Sequence, residues 1–198
     1  MTRCADPSLF AGIASVLSAS AGGRFRLIIG YESEEGAELA REGASIVEGS
    51  GGHALLMPRA LPAPVTAFSV RMVMADGAVY VGEGGEALIY LGGRAVDRSR
   101  EGAPASETDL ARIDEAVAAF ADEAAITRAD GGWEWVGDGM IGAYVDRATS
   151  RIASLAQGSS APAGVRVDEA SGLLAALLER VGVPVVEAGA GLSLRVPA

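Results

Sequence analysis

The spacing of apolar residues alternates between two periods along the first part of the chain. Apolar positions recur every three or four residues after Asp6-Pro7, which predicts a helix that ends at Gly22-Gly23. The same spacing after Ser33 predicts a second helix over residues 34–48. Mainly apolar runs at residues 25–29 and 53–57 predict two buried strands. Strand, helix and strand in this order predict a parallel sheet.

Residues 60–86 predict a turn, a third helix and a third strand. Pro64 suits the first turn of a helix, and Gly77 would end it. The side chains that we expect this helix to bury are spaced three and four apart: Val65, Phe68 and Met72. The short apolar run at residues 78–81 then predicts a central strand.

A glycine loop follows that strand and provides the candidate ligand-binding residues, Gly82, Glu83, Gly84 and Gly85. Open α/β sheets commonly hold ligands at the carboxyl ends of their strands. Two interpretations of the loop stay open. Successive loop amides can bind an anion, or the glycines only allow a tight turn with positive φ. The acidic Glu83 and Glu86 disfavour phosphate as the ligand.

The chain from residue 86 onward predicts a further strand, two helices and a small terminal unit. We expect a strand over residues 86–91, a helix that begins with a capping box at Ser106-Glu107-Thr108-Asp109, and a helix from Asp138 to about residue 156. The predicted domains are 1–157, a linker at 158–164, and a β-α-β unit at 165–198 with strands near 165–168, 183–187 and 192–196. A unit this small cannot bury both faces alone. We therefore expect it to pack on the first domain, to pair with a second copy in a homo-oligomer, or to need a protein partner.

Both tryptophans lie in one segment, Gly131-Gly132-Trp133-Glu134-Trp135, which the sequence predicts to be a loop. Their aromatic faces would suit a sugar, but such residues more often fix a loop to the core, and we favour that interpretation.

Composition excludes several classes of function. The 198 residues carry a formal charge of −10 and contain no lysine. An acidic chain without basic clusters is a poor partner for nucleic acid, and the absence of lysine removes Schiff-base and P-loop chemistry. No apolar run is long enough to span a membrane, and the N-terminus lacks the order of a signal peptide, so we expect a cytoplasmic protein.

Two single residues limit metal and nucleophile chemistry further. One cysteine, Cys4, cannot form an internal disulfide, and one histidine, His53, cannot form a histidine-rich metal site. His53 opens the second predicted strand beside Gly51-Gly52. We interpret it as an edge residue rather than a catalyst.

The order of elements resembles the first domain of the α-D-phosphohexomutases, the family of phosphomannomutases and phosphoglucomutases. Leu61-Pro62-Ala63-Pro64 resembles the P-T-P turn of that family, and Gly77-Ala78-Val79-Tyr80 resembles the strand that enters its phosphoserine loop. Val165-Arg166-Val167-Asp168 resembles the opening strand of the family's second domain. The resemblance implies an α/β fold with three αβα layers and a mixed, mostly parallel sheet, followed by a small C-terminal βαβ unit.

The resemblance fails where the family performs its chemistry. Glu83 stands in the position of the phosphorylated serine, and Glu34 stands where the family has a phosphate-binding arginine. The D-G-D-x-D-R metal loop has no counterpart, because Gly137-Asp138-Gly139 lies elsewhere in the chain and lacks the other carboxylates. The sequence therefore predicts no catalytic residue and no metal ligand. Mg²⁺ would be a cofactor only if mutase activity were retained.

Three hypotheses for function follow. The first is a degenerate phosphohexomutase-like protein without mutase activity, which acts as a binding or regulatory module related to sugar-phosphate metabolism. The second is a residual or partner-completed mutase, an intramolecular phosphotransferase that would bind hexose phosphates. The third is an unrelated α/β anion-binding protein.

Overall fold

The structure is a computed structural model that describes residues 3–95, 98–155, 165–168, 172–182 and 192–195. The chain forms two compact units, Met1–Gly137 and Asp138–Ala198. The helix that follows Gly137 therefore groups with the second unit, whereas the sequence analysis placed it at the end of the first domain. The predicted linker at 158–164 lies outside the described residues, so that domain boundary stays a prediction.

The first unit alternates strands and helices. In chain order its elements are β1 (Arg3–Cys4), α1 (Pro7–Ala21), β2 (Arg26–Tyr31), α2 (Glu34–Gly49), β3 (His53–Leu56), α3 (Ala63–Met72), β4 (Gly77–Val81), β5 (Glu86–Leu91), β6 (Ala103–Pro104), α4 (Glu107–Ala118) and β7 (Glu134–Trp135).

One mixed sheet organises this unit. Its strands lie in the order β1-β5-β4-β2-β3-β7, and β6 pairs with β5. Neighbouring strands from β4 to β7 are parallel, while β5 runs antiparallel to both β4 and β1. The predicted α/β fold with a mostly parallel sheet is thus confirmed, and the two strands predicted at residues 78–81 and 86–91 form an antiparallel pair.

Local signals begin the first two helices where the sequence predicts. The Asp6 side chain accepts a hydrogen bond from the Leu9 amide, and Ser33 accepts one from the Gly36 amide. Each side chain satisfies an amide that has no partner within the helix. Helix α2 begins at Glu34, three residues after β2 ends at Tyr31, so its first turn lies near the carboxyl end of β2.

Helix α3 departs from the prediction in its end and in its buried face. It ends at Met72, and Gly77 is the first residue of β4 rather than a helix stop. Met72 is 51% exposed and Phe68 is half-buried. Of the three side chains predicted to be buried, only Val65 is, so the prediction is wrong for the other two. The face turned toward the protein interior consists of Val65, Thr66, Ser69 and Val70. Small polar residues occupy it because the helix lies very close to β2.

The closest contact between α3 and the sheet is at Gly30 of β2. A Cβ atom at Gly30 would lie 2.0 Å from Thr66 Oγ1, and Thr66 is fully buried. Such a distance is far below van der Waals contact, so the fold requires glycine at this position. The requirement comes from close approach rather than from positive φ.

The tryptophan segment forms a strand that the sequence analysis missed. Glu134 and Trp135 make up β7, which pairs in parallel with Leu55 and Leu56 of β3. Trp135 is 52% exposed and Trp133 is half-buried. The prediction that both rings fix a loop to the core is therefore wrong for Trp135, because backbone pairing rather than ring burial holds the segment.

The second unit contains α5 (Asp138–Leu155), β8 (Val165–Asp168), α6 (Leu173–Arg180) and β9 (Leu192–Arg195). Strands β8 and β9 pair in parallel, and α6 buries Leu173, Leu177 and Leu178. The strand predicted at 183–187 lies outside the described residues. Across the described part of the chain, no helix combines the length and apolarity needed to cross a bilayer.

We predict that Gly30→Ala destabilises the first unit by about 2 kcal/mol, because the new methyl group must displace Thr66 and with it α3. Gly131→Ala is the matched control, since a Cβ there meets no atom within 4 Å. That change should alter the free energy of unfolding by less than about 0.5 kcal/mol. Denaturant titration of both variants measures the difference, and equal stabilities would contradict the close contact.

Candidate functional site

The four candidate residues form a tight hairpin turn between β4 and β5. The Gly85 amide donates to the Gly82 carbonyl at 3.0 Å, and the Gly82 amide donates to the Glu86 carbonyl at 2.8 Å. Gly85 has φ of +77°. This arrangement is typical of a three-residue hairpin loop whose last residue is left-handed, which favours glycine. The turn interpretation thus accounts for Gly85.

Carboxylates of the chain itself bind the exposed amides of this turn. The Glu83 amide donates to Glu32 Oε2 at 3.3 Å, and the Gly84 amide donates to Glu86 Oε2 at 3.0 Å. The carboxylate of Glu86 also explains why residue 82 is a glycine, because a Cβ atom at that position would lie 2.4 Å from Glu86 Oε1. The amides of Glu83 and Gly84 could bind an anion from solution, but in this structure they bind carboxylates of the chain itself.

Acidic residues surround the turn at the carboxyl edge of the sheet. Glu32 follows β2, and its amide donates to the Val81 carbonyl at the end of β4. Glu34 and Glu35 occupy the first turn of α2, and Glu34 is exposed. Glu83 is exposed at the tip of the turn. The geometry thus brings Glu32 and Glu86 to the turn that carries Glu83, and the charges of these residues oppose binding of a phosphate dianion.

Two tyrosines at the same edge have perturbed ionisation. Burial raises the pKa of Tyr80 strongly, and the neighbouring Glu32 carboxylate, which also hydrogen-bonds the phenol, raises it further. Burial likewise raises the pKa of Tyr31, while Arg41 opposes that change. The Tyr80 phenol therefore stays protonated and donates a hydrogen bond to the Glu32 carboxylate. No signal in the sequence marks this pair, because Glu32 and Tyr80 meet only through the pairing of β2 with β4.

His53 lies at the opposite edge of the sheet, where the parallel strands begin. Its Nδ1 atom is 3.2 Å from Glu48 Oε1, and the same oxygen accepts the Ala54 amide at 2.8 Å. Because a carboxylate accepts hydrogen bonds, the neutral ring carries its proton on Nδ1. The sequence analysis missed Glu48, although its position five residues before His53, across a Gly51-Gly52 turn, was a usable signal.

A cleft of about 740 Å³ adjoins His53 at this edge. Residues from the starts of β2 and β3 and from the segments that precede β4 and follow β5 line it: Arg24, Phe25, Arg26, His53, Met74, Asp76, Gly93 and Glu101. None of the four candidate loop residues is among them. Since β2, β3 and β4 are parallel, the cleft and the glycine turn lie at opposite ends of the same strands.

Metal binding finds no support in the described part of the chain. No group of three or more histidine, cysteine, aspartate or glutamate side chains there is placed to hold an ion. Cys4 is exposed and unpaired by any disulfide.

Solved structures show what the fold is similar to. A putative phosphomannomutase from Thermus thermophilus superimposes with a TM-score of 0.65 at 18% identity, over 90% of this chain and 40% of its own. A phosphoglucomutase/phosphomannomutase family protein from Burkholderia thailandensis gives a TM-score of 0.60 at 16% identity, over 97% of this chain and 40% of its own. The chain has a phosphohexomutase-like fold.

This phosphohexomutase-like chain spans about 40% of the length of the two structures. At identities of 16–18% the similarity shows the fold alone, so the chemistry has to be argued from the residues of this chain. No protein-family model matches the sequence, and no curated protein matches it either.

We predict that stability declines above about pH 10, where free tyrosine ionises. A folded pKa above the unfolded value gives stability that is fully present below the unfolded pKa and is lost as the pH rises through the folded one. Tyr31, Tyr80 and Tyr90 all have raised pKa values. Tyr80→Phe should therefore give a shallower alkaline decline than the wild type in denaturant titrations at increasing pH. An identical decline in both proteins would show that Tyr80 ionises as freely as in the unfolded chain.

Proposed function

We propose that this chain is a phosphohexomutase-like protein without mutase activity that acts as a binding or regulatory module. The observation that supports this most is the occupation of the turn amides at Glu83 and Gly84 by the carboxylates of Glu32 and Glu86. A phosphorylated ligand would have to displace both carboxylates and then lie beside them. Like charges at this separation are strongly unfavourable.

The residue at the tip of the turn supports the same proposal. Glu83 stands where the resemblance has a phosphorylated serine, and a carboxylate could accept a phosphoryl group only by forming an acyl phosphate. Phosphoryl transfer relies on positive charge and positioning around the transferred group. The acidic edge formed by Glu32, Glu34, Glu83 and Glu86 supplies the opposite charge.

A partner-completed mutase is the second candidate, and one observation favours it. These 198 residues correspond to 40% of the mutase-named structures that they resemble, so a complete site of that kind would need parts that these residues do not supply. Mg²⁺ would be the cofactor of such a completed site. A cytoplasmic location, where hexose phosphates occur, is part of both proposals.

Partner binding is proposed through the second unit. Among the described residues its sheet consists of the parallel pair β8 and β9, and α6 buries leucines on one face. Two-stranded units are marginal alone. A second copy of the chain or a protein partner would complete it, and light scattering coupled to size exclusion distinguishes a monomer from a homo-oligomer.

We predict that glucose and mannose 1- and 6-phosphates at millimolar concentration do not raise the melting temperature, with or without Mg²⁺. A ligand present at about 100 times its dissociation constant would add about 2.7 kcal/mol and raise the melting temperature by roughly 5–10 °C. Such a saturable rise would overturn the proposal and favour the partner-completed mutase.

The double variant Glu32→Gln with Glu86→Gln tests the reason for the expected result. It removes two negative charges at the turn amides while keeping the size of both side chains. If the carboxylates are what excludes phosphate, this variant should gain measurable affinity for inorganic phosphate. Glu107→Gln with Glu115→Gln, on the exposed face of α4, is the control for the change in net charge. Equal phosphate affinity in both double variants would contradict the argument.

A further inference from the structure

Strand β7 lies in a segment, residues 129–136, that is fixed to the rest of the first unit at its two ends. At one end the Ala129 amide donates to the Ser45 carbonyl of α2 at 2.9 Å, and at the other end the Val136 amide donates to the Leu56 carbonyl of β3 at 2.9 Å. The six residues between these ends are all exposed or half-buried. Little apolar burial therefore holds the middle of this β7 segment in place.

His53 lies beside the middle of the β7 segment, between two carboxylates. Its Nδ1 atom is 3.2 Å from Glu48 Oε1, and its Nε2 atom is 3.7 Å from Glu134 Oε2. These two carboxylates are the ion-pair partners that the described residues give the ring. Glu48 belongs to α2 and Glu134 belongs to β7, so one imidazole ring connects a helix of the first unit to an exposed strand.

Of the two carboxylates, Glu48 is the fixed one. Its Oε1 atom also accepts a hydrogen bond from the Ala54 amide at 2.8 Å, and its side chain is only 15% exposed. A Cβ atom at Gly132 would lie 3.1 Å from its Oε2 atom, so the carboxylate also lies against the backbone of the β7 segment. The Glu134 side chain is 71% exposed. We therefore expect the contact of Nε2 with Glu134 to change first when the charge of the ring changes.

The charge of the ring determines what Nε2 offers to Glu134. In the neutral ring the proton on Nδ1 is donated to Glu48, so Nε2 is an acceptor and faces the Glu134 carboxylate with a lone pair. In the charged ring Nε2 carries a proton as well, and it attracts the carboxylate. Imidazole ordinarily changes between these forms at about pH 5–8, where carboxylates ordinarily stay ionised.

The other charged groups around the ring are two cations and two carboxylates. Arg24, Arg26, Asp76 and Glu101 line the cleft that adjoins His53, and together they add no net charge. All four lie outside the β7 segment. They surround the ring whether β7 is paired or not, so the group that links the charge of the ring to β7 is Glu134.

We propose that His53 is a proton-controlled latch for β7. The charged ring ties Glu134 to Glu48 and holds β7 against β3, and the neutral ring lets β7 separate more often. Separation would expose the backbone groups of Leu55 and Leu56 with which β7 pairs, and an unpaired strand edge is a surface to which another strand can add. The latch is apart from the glycine turn, so it does not depend on the proposed function.

Hydrogen exchange of the Val136 amide measures this separation, because that amide is bonded to the Leu56 carbonyl. An ion pair with an exposed partner is weak, so we expect a modest effect. In the whole chain the protection factor of Val136, corrected for the intrinsic exchange rate at each pH, should be about threefold higher at pH 5.5 than at pH 8.

The Met57 amide is the internal reference, since it donates to the Ile29 carbonyl on the β2 side of β3. Its protection factor should stay unchanged between the two pH values. An equal change at Val136 and Met57 would be a global effect and would overturn the latch. The only histidine of the chain gives a single set of imidazole NMR signals. If those signals titrate while Val136 protection stays constant, the proposal is wrong.

Three variants assign the effect. Glu134→Gln removes the charge of an exposed side chain, so the pH dependence of Val136 protection should be lost while the imidazole still titrates. His53→Gln should abolish the pH dependence as well. Asp130→Asn is the matched control, because it removes a carboxylate from an exposed position of the same segment that does not pair with the ring. Its pH dependence should equal that of the wild type. Retention of the dependence in Glu134→Gln, or its loss in Asp130→Asn, would overturn the proposal.

Discussion

The parallel pairing of β2 with β3 on one side and with β4 on the other decides where every candidate group lies. These three strands run in one direction, so all their beginnings meet at one edge of the sheet and all their ends meet at the other. Close packing of α3 against Gly30 fixes the layer above them. The sheet thereby separates an acidic edge from a cleft of mixed charge. No single site can include residues from both.

At the acidic edge, the turn between β4 and β5 has a backbone geometry that can bind either a free anion or a carboxylate of the chain. A hairpin turn that exposes successive amides is suited to bind an anion. In this chain the anions are the carboxylates of Glu32 and Glu86, which are covalently attached and so need no association entropy to occupy the site. A free phosphate must compete with ligands whose effective concentration is very high. Similarity of fold to mutases is therefore compatible with a different chemistry at the corresponding turn.

The parts of the fold that the sequence predicted are those set by neighbouring residues. Asp6 and Ser33 cap their helices through contacts within three positions, and the β4–β5 hairpin follows from a glycine turn between two apolar runs. The buried face of α3 and the strand β7 could not be predicted in this way. Thr66 is buried only because Gly30 lies opposite it, and Trp135 pairs with a strand far away in sequence.

The candidate site, like the fold, could be predicted from the sequence only in part. The glycines and acidic residues of the turn are visible in the sequence, but their relation is not, since Glu32 and Glu83 meet only through strand pairing. The cleft gave no sequence signal at all, because its lining comes from segments between residues 24 and 101 that no short motif spans. Fold can be inferred from local patterns when these agree with one another. Function depends on the few side chains that the fold brings together, and in this chain those side chains belong to opposite edges of one sheet.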